Sequence, residues 1–423
     1  MSAIPWMQSN NANNIIAAGA TTYVPAGIAP FAQLQTESLV QRTMFTAGTW
    51  SDAWMRVITN DRTGNSTLKS RKNAGAGNQV LTIGAAATGE FHDNSNTDTI
   101  ASGDEINWEF VMSSGGTILA AQVVSSLYTP SSGVLSAWLN NSGQTVALNG
   151  VTRFYAFTGP TGTDNPSQQT ESESQYSARV AGTWSGLFIN VSLNAKGGNS
   201  VFRSRVNGAN GNQIITIGSG VTGLLQDTTN SDSIVSGDEI NYALAYFADG
   251  NNFRQRLMGS EFTAGVNVNA GAADVAETQA LNLTYYFGGG TLDIQGGARS
   301  TTESNMRTQL NAAVVLTFLS VYVRANTITG NTSFTVRKNG AAGNNTFNVG
   351  SGATGYFEDA TNSDSFTATD EFTYQVVTPN GGTSILFNNM AVVMTAPAAG
   401  RTTKNTRGFP LGMEIGMNWR GEV

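Results

Sequence analysis

Apolar residues recur at every second position in three stretches that spell one pattern in three ways. Ile106, Trp108 and Phe110 alternate with Asn107 and Glu109, and Ile240, Tyr242, Leu244 and then Phe372, Tyr374, Val376 occupy the matching places. A period of two is that of a strand with one buried face. Leu81 and Ile83 flank Thr82, with Ile215 and Ile217, then Phe347 and Val349, in register, while Leu68, Phe202 and Phe334 supply one further inward position. Turn chemistry separates these strands. Asn207-Gly208 and Asn339-Gly340 are Asn-Gly pairs, and Ser102-Gly103-Asp104 and Ser236-Gly237-Asp238 place Gly and Asp where a positive φ or an Asx turn is needed. The third version reads Ala368-Thr369-Asp370, so that Gly is dispensable. Many short strands divided by such turns predict an all-β protein built from antiparallel β-sandwiches of jelly-roll type.

The pattern belongs to a longer repeat. Glu37 stands 67 residues before Asp104, Glu171 stands 67 before Asp238, and Glu303 stands 67 before Asp370. RKNAGAGNQVLTIG is echoed by RVNGANGNQIITIG and RKNGAAGNNTFNVG, and IASGDEINW by IVSGDEINY and FTATDEFTY. A repeat kept in register over roughly a hundred residues is one folded unit used three times, far too long for a solenoid coil. The expected organisation is an N-terminal segment 1–20, repeats at 21–130, 153–264 and 285–396, joining stretches 131–152 and 265–284 that are either linkers or first strands, and a C-terminal arm 397–423.

Composition narrows the function classes. Of 423 residues only 12% are charged, against about 25% in ordinary domains, and 48 are Gly. Such a chain suits strands, turns and surfaces that meet other protein. The net charge of −7 disfavours a surface that tracks phosphates, so nucleic acid is not an expected partner. MSAIPWMQSNN lacks a positive segment followed by an apolar one, and the longest apolar stretch, about 312–323, is too short to span a bilayer. Synthesis in the cytoplasm without a signal peptide or membrane anchor is the expectation.

The run Thr-x-x-x-Arg-Lys-Asn-Gly, an apolar strand ending in Ile-Gly or Val-Gly, then Thr-Gly-x-Phe-x-Asp, Asn-Ser-Asp and Gly-Asp-Glu resembles a repeat of tailed-bacteriophage virion structural proteins. The second copy departs at Val206 and at Leu225, where the others have Lys, and Phe91 and Phe357. The resemblance implies a phage particle and a jelly-roll-like fold. The same module serves decoration, fibre and baseplate components alike.

Candidate chemistry is sparse. The lone histidine, His92, has Gln226 and Glu358 at its matching positions, which excludes a His-dependent triad from two copies. The pairs Asp104-Glu105, Asp238-Glu239 and Asp370-Glu371 are adjacent on an extended chain and point apart, whereas a glycosidase pair must converge across a sugar. Cysteine is absent, and no Gly-rich phosphate loop follows a strand and opens a helix. No catalytic residue, cofactor or metal is expected. One calcium alternative is open, since Asp93, Asn96 and Asp98, Asp227, Asn230 and Asp232, and Asp359, Asn362 and Asp364 offer hard oxygens, at a spacing unlike an EF-hand and equally typical of Asx turns. Arg71, Arg205 and Arg337, with Glu37, Glu171 and Glu303, form either an ion pair inside each copy or a contact between subunits.

The last signal lies beyond the repeats. Phe409, Leu411, Met413, Ile415, Met417 and Trp419 are apolar at every second position, after a polar stretch carrying Arg401, Lys404 and Arg407. This reads as an arm that docks by strand addition on a neighbour, or as a strand closing its own chain's sandwich. The expected function is that of a non-enzymatic virion structural protein, a capsid decoration or cement protein whose partners are the major capsid protein and copies of itself. The alternative is a tail-fibre, baseplate or receptor-binding component in which Trp50, Trp138 and Trp184 meet host glycans.

Overall fold

A computed structural model describes residues 4–9, 18–27, 29–30, 34–140, 145–157, 170–264, 267–271, 277–289 and 299–395. The protein is all-β. In the first copy the main strands are β1 (Ile4–Ser9), β2 (Thr21–Pro25), β3 (Gly48–Asn60), β4 (Ser66–Lys72), β5 (Gly75–Ile83), β6 (Gly89–Ile100), β7 (Glu105–Val111) and β8 (Leu119–Pro130). The second copy supplies β9 (Val134–Asn140), β10 (Thr152–Tyr155), β11 (Gly182–Asn194), β12 (Ser200–Val206), β13 (Ala209–Ile217), β14 (Gly223–Ile234), β15 (Glu239–Ala245) and β16 (Phe253–Ala264). The third supplies β17 (Asn267–Gly271), β18 (Thr284–Phe287), β19 (Val314–Asn326), β20 (Thr332–Lys338), β21 (Ala341–Val349), β22 (Gly355–Phe366), β23 (Glu371–Val377) and β24 (Ile385–Thr395).

Each copy holds two sheets with one strand order. One sheet runs β1-β8-β3-β6, repeated as β9-β16-β11-β14 and β17-β24-β19-β22. The other runs β2-β7-β4-β5, repeated as β10-β15-β12-β13 and β18-β23-β20-β21. These pairings are antiparallel. The stretches 131–152 and 265–284 therefore contribute strands: β9 pairs with β16, and β17 with β24. Likewise β1, inside the N-terminal segment, pairs with β8. Strands β3, β11 and β19 have 13 residues each, longer than the short strands expected.

The inward positions read from the alternation are buried. Ile106, Trp108 and Phe110 and their counterparts are at most 1% exposed. The polar positions between them correct the expectation of one solvated face. Asn107, Asn241 and Thr373 are also buried, because a single 3-10 turn (Glu37–Leu39, Glu171–Glu173, Glu303–Asn305) covers that face in each copy. In the second copy Asn241 Nδ2 donates to Ser174 Oγ at 3.0 Å, directly after that turn.

A bulge interrupts β3, β11 and β19 at the same place, between Ser51 and Ala53, Ser185 and Leu187, and Thr317 and Leu319. The extra residue has positive φ in every copy: Asp52 at 54°, Gly186 at 64° and Phe318 at 54°. In the first two copies this position meets another copy, Asp52 through its carbonyl and Gly186 beneath the Phe45 ring.

Candidate protein interface

The motifs repeated in all three copies are spent inside each copy. Asp93 Oδ2 accepts the Val80 N–H at 2.8 Å, and its other oxygen accepts the Asn96 N–H at 3.1 Å. Asp227 and Asp359 do the same with Ile214 and Asn230, and with Thr346 and Asn362. Burial works to raise the Asp227 carboxyl, but the donors of Asn230, Ile214 and Thr229 outweigh it and leave it lowered to about 2; Asp359 is lowered to about 2 in the same way by Asn362, Thr346 and Thr361.

Asp98 and Asp232 lie deeper. Asp232 accepts the Ser204 hydroxyl at 2.6 Å, the Asn212 N–H at 2.6 Å and Gln213 Nε2 at 3.1 Å. Asp364 accepts from the Asn344 and Asn345 N–H groups and from Asn345 Nδ2. The residues of the calcium alternative thus have their oxygens filled by N–H and O–H donors, while Asn96, Asn230 and Asn362 turn their amide nitrogens, not their oxygens, toward the carboxylate. Among the described residues no three His, Cys, Asp or Glu side chains converge in a metal-binding group.

The Asp-Glu pairs are turn locks. Asp104 Oδ2 accepts the Ala101 N–H at 2.7 Å and Oδ1 accepts Asn73 Nδ2 at 2.7 Å, tying two hairpin ends together, and the other copies repeat both bonds. The Arg-Glu pairs also stay within a copy. Arg71 Nε and Nη2 grip the Glu37 carboxylate at 2.9 and 3.0 Å, Arg205 grips Glu171 at 2.8 Å twice, and Arg337 grips Glu303 at 2.9 Å twice. Each fork pins the 3-10 turn onto the sheet.

Trp50 and Trp184 are fully buried, their indole N–H groups donating to Ser126 Oγ at 2.9 Å and Ser260 Oγ at 2.6 Å. Both belong to the core, which corrects their reading as exposed glycan contacts; the Trp138 side chain lies outside the described residues. The docking arm, Phe409, Leu411, Met413, Ile415, Met417 and Trp419, lies outside them too.

What the repeats do not share is found between the copies. The 3-10 turn of one copy meets the bulged strand of the next, three times over. At the first junction Asn190 Nδ2 donates to the Ser38 carbonyl at 2.6 Å, and the Phe45 ring packs on Gly186. At the second, Arg324 pairs with Glu173 at 3.1 Å, and Arg179 pairs with Glu358 while its guanidinium sits 5.1 Å from the Tyr356 ring centre. At the third, Arg56 Nη1 donates to the Ser304 carbonyl at 2.8 Å and Asn311 Nδ2 to the Asp52 carbonyl at 3.0 Å. The third copy therefore returns to the first, and the three form a closed ring, with β9 lying against both β1 and β17.

The junctions differ in chemistry. The first contains Arg42 and Glu261, 3.7 Å apart and both 0% exposed. Glu261 also accepts the Phe45 N–H at 2.8 Å and the Thr46 hydroxyl at 2.7 Å, while Arg42 lies 5.8 Å from the ring centres of Trp6 and Phe188. Burial raises the Glu261 carboxyl and lowers Arg42, each opposing the attraction of its partner. The core continues through this junction, since one cluster of buried apolar residues spans the first and second copies and takes in Ala391 of the third, whose interior is otherwise filled by a separate cluster. The third junction is polar. Arg56 bridges Glu90, at 2.6 Å, and Glu371, and Arg307 reaches Glu371 at 3.4 Å. A cleft of about 170 Å³ opens there, lined by residues that include Asp52, His92, Asn94, Gln309 and Asn311. Sequence reasoning missed this interface. The usable signal was disagreement between copies, as in Arg42, Tyr176 and Thr308, or His92, Gln226 and Glu358.

No family model matches the chain, and no curated protein matches it. Among solved structures, "PNGF-II in C2 space group" is similar at 8% identity and a TM-score of 0.18, over 82% of this chain and 98% of that one. The insecticidal delta-endotoxin Cry8Ea1 from Bacillus thuringiensis is similar at 8% identity and a TM-score of 0.18, over 92% of this chain and 60% of that one. Likenesses this distant carry no argument about fold or function. Among the described residues no helix is long and apolar enough to cross a membrane.

Proposed function

We propose that this chain is a non-catalytic structural protein of a tailed-phage virion, a decoration or cement protein held on the outer shell by contacts with the major capsid protein. Each copy is then a jelly-roll sandwich. The strand order within each copy, first-eighth-third-sixth over second-seventh-fourth-fifth, supports that reading, because winding two Greek keys into a double sheet interleaves early and late strands in this way. A propeller blade would instead be made of neighbouring strands in sequence. The single observation that carries the proposal is the ring: three related but unlike copies meet head to tail through equivalent positions, giving one chain the form of a trimer suited to a three-fold position on a capsid. The spending of the triplicated carboxylates on turns and strand locks agrees with a role without catalysis.

Particles labelled with an antibody to this chain test the address. Label spread over the shell in many copies is the expected result. Label confined to the tail tip would favour the receptor-binding reading, and absence of the chain from particles would overturn both. Incubation of the purified protein with capsular and cell-wall glycans is expected to release no reducing ends.

A further inference from the structure

We propose that the junction between the third and first copies is an exchangeable latch, through which the third copy of one chain docks on the first copy of a second chain. The inference rests on the ring alone and is independent of any virion address. Connectivity is the first observation. The first two copies are joined through Ser131–Gly133, between β8 and β9, and the second and third through the two residues between Ala264 and Asn267. Among the described residues no peptide link runs from the third copy back to the first, and that closure is held by non-covalent contacts.

The second observation is the kind of contact. The third copy has its own core cluster, and its attachments to the second copy include the ion pairs of Arg179 with Glu358 and Arg324 with Glu173. Its attachment to the first is made by Arg56, Glu90, Glu371 and Arg307, with the amide of Asn311 and a polar cleft beside it. Ion pairs between partly exposed groups are weakened by salt far more than the shared apolar core of the first junction.

The third observation fixes the occupant. The face freed on the first copy presents the Arg56 guanidinium, the Asp52 carbonyl and Ser125, and the face freed on the third presents the Ser304 carbonyl, Glu371, Asn311 and the Gln309 carbonyl that Ser125 Oγ meets at 3.1 Å. Each is the complement of the other, on the same chain or on another. Two opened chains can satisfy both faces reciprocally with the contacts of the closed ring, and protein concentration decides between the two forms.

Two differently tagged full-length preparations, concentrated together in about 1 M salt, where the Debye length is about 3 Å, and then returned to low salt, read this out. Mixed-tag dimers are expected, and they dissociate on dilution with repeated salt exposure. Because the chain has no cysteine, Ser125→Cys with Asn311→Cys places a single reactive pair across the latch. Linking that pair with a short bismaleimide before mixing is expected to abolish exchange, whereas linking it after mixing is expected to give a covalent dimer. Arg56→Glu is expected to speed exchange about fivefold, and adding Glu371→Arg to restore it, with circular dichroism unchanged throughout. Failure to form mixed dimers at any salt concentration, or exchange that the cross-link leaves untouched, would overturn the proposal.

Discussion

The interior of each copy and the junctions between copies use polar groups in opposite ways. Inside, the same wiring is written three times: Asp98, Asp232 and Asp364 hold one hairpin end, and Arg71, Arg205 and Arg337 grip the same Glu. Between copies no two junctions are alike, although the same backbone positions meet. Position 45 of the first copy is Phe against Gly186, its counterpart Arg179 meets Glu358 and Tyr356 on β22, and Asn311 faces Asp52. Residues that agree across the copies build the unit, and residues that disagree choose which unit stands next to which.

The largest effect separating the two classes should come from acid. Asp227 and Asp359 have lowered carboxyls, so their stabilisation is fully present above the ordinary value of 3.8 and is lost as pH falls toward about 2. Because the wiring is common, all three copies should lose β-type circular dichroism together between about pH 4 and 2. Loss of one copy first, seen as two separate transitions, would show that junctions rather than interiors set acid stability.

Next comes the buried pair. Glu261→Leu leaves Arg42 buried without a countercharge and should cost about 3–5 kcal/mol by urea denaturation. Arg42→Met combined with Glu261→Gln keeps an acceptor for the Phe45 N–H, turns an amide N–H toward the Thr46 hydroxyl oxygen, and should fall within about 1 kcal/mol of the parent. At the matching positions Leu127 and Val393 are apolar, so the pair belongs to the first junction and not to the unit. Equal losses from the single and double changes would sink that assignment.

The glycines sharpen the contrast further. Gly186 and Gly208 both have positive φ, but a Cβ at Gly186 would collide with the Phe45 ring, while Gly208 has open space. Gly208→Ala should cost about 1 kcal/mol from backbone strain, and Gly186→Ala about 1–3 kcal/mol more from overpacking. Adding Phe45→Ala should recover part of the excess at Gly186 and nothing at Gly208.

These differences also mark what could be read from the chain. Strand alternation, the Asn-Gly turns and the Glu37–Arg71 pairing were legible because each is local or repeated, and the buried Ile240, Tyr242 and Leu244 follow from period two alone. Arg42 and Glu261 carry no such pattern. They are remote in sequence, sit in strands of different copies, and meet only because the second copy packs on the first. Trp50 and Trp184 were open to an exposed reading because a lone aromatic in a polar stretch looks the same whether its ring faces core or solvent. The burial of Asn107 depended on a 3-10 turn too short to leave a periodic trace.

The smallest effect concerns a place where the copies disagree without a junction being involved. Lys72 Nζ reaches Asp104 at 3.2 Å and Lys338 Nζ reaches Asp370 at 2.9 Å, while the second copy has Val206 before the same Asp238 lock. Lys72 and Lys338 are more than a third exposed, so the pair is screened and should add little. Val206→Lys should therefore change stability by less than about 0.5 kcal/mol, with the shift vanishing in 1 M salt. The lock it joins is already complete, since Asp238 accepts from Asn207 at 2.8 Å and from the Val235 N–H at 2.8 Å. A gain above about 1 kcal/mol would mean that the lysine orders the turn itself, and the carboxylate lock would then depend on charge rather than on its hydrogen bonds.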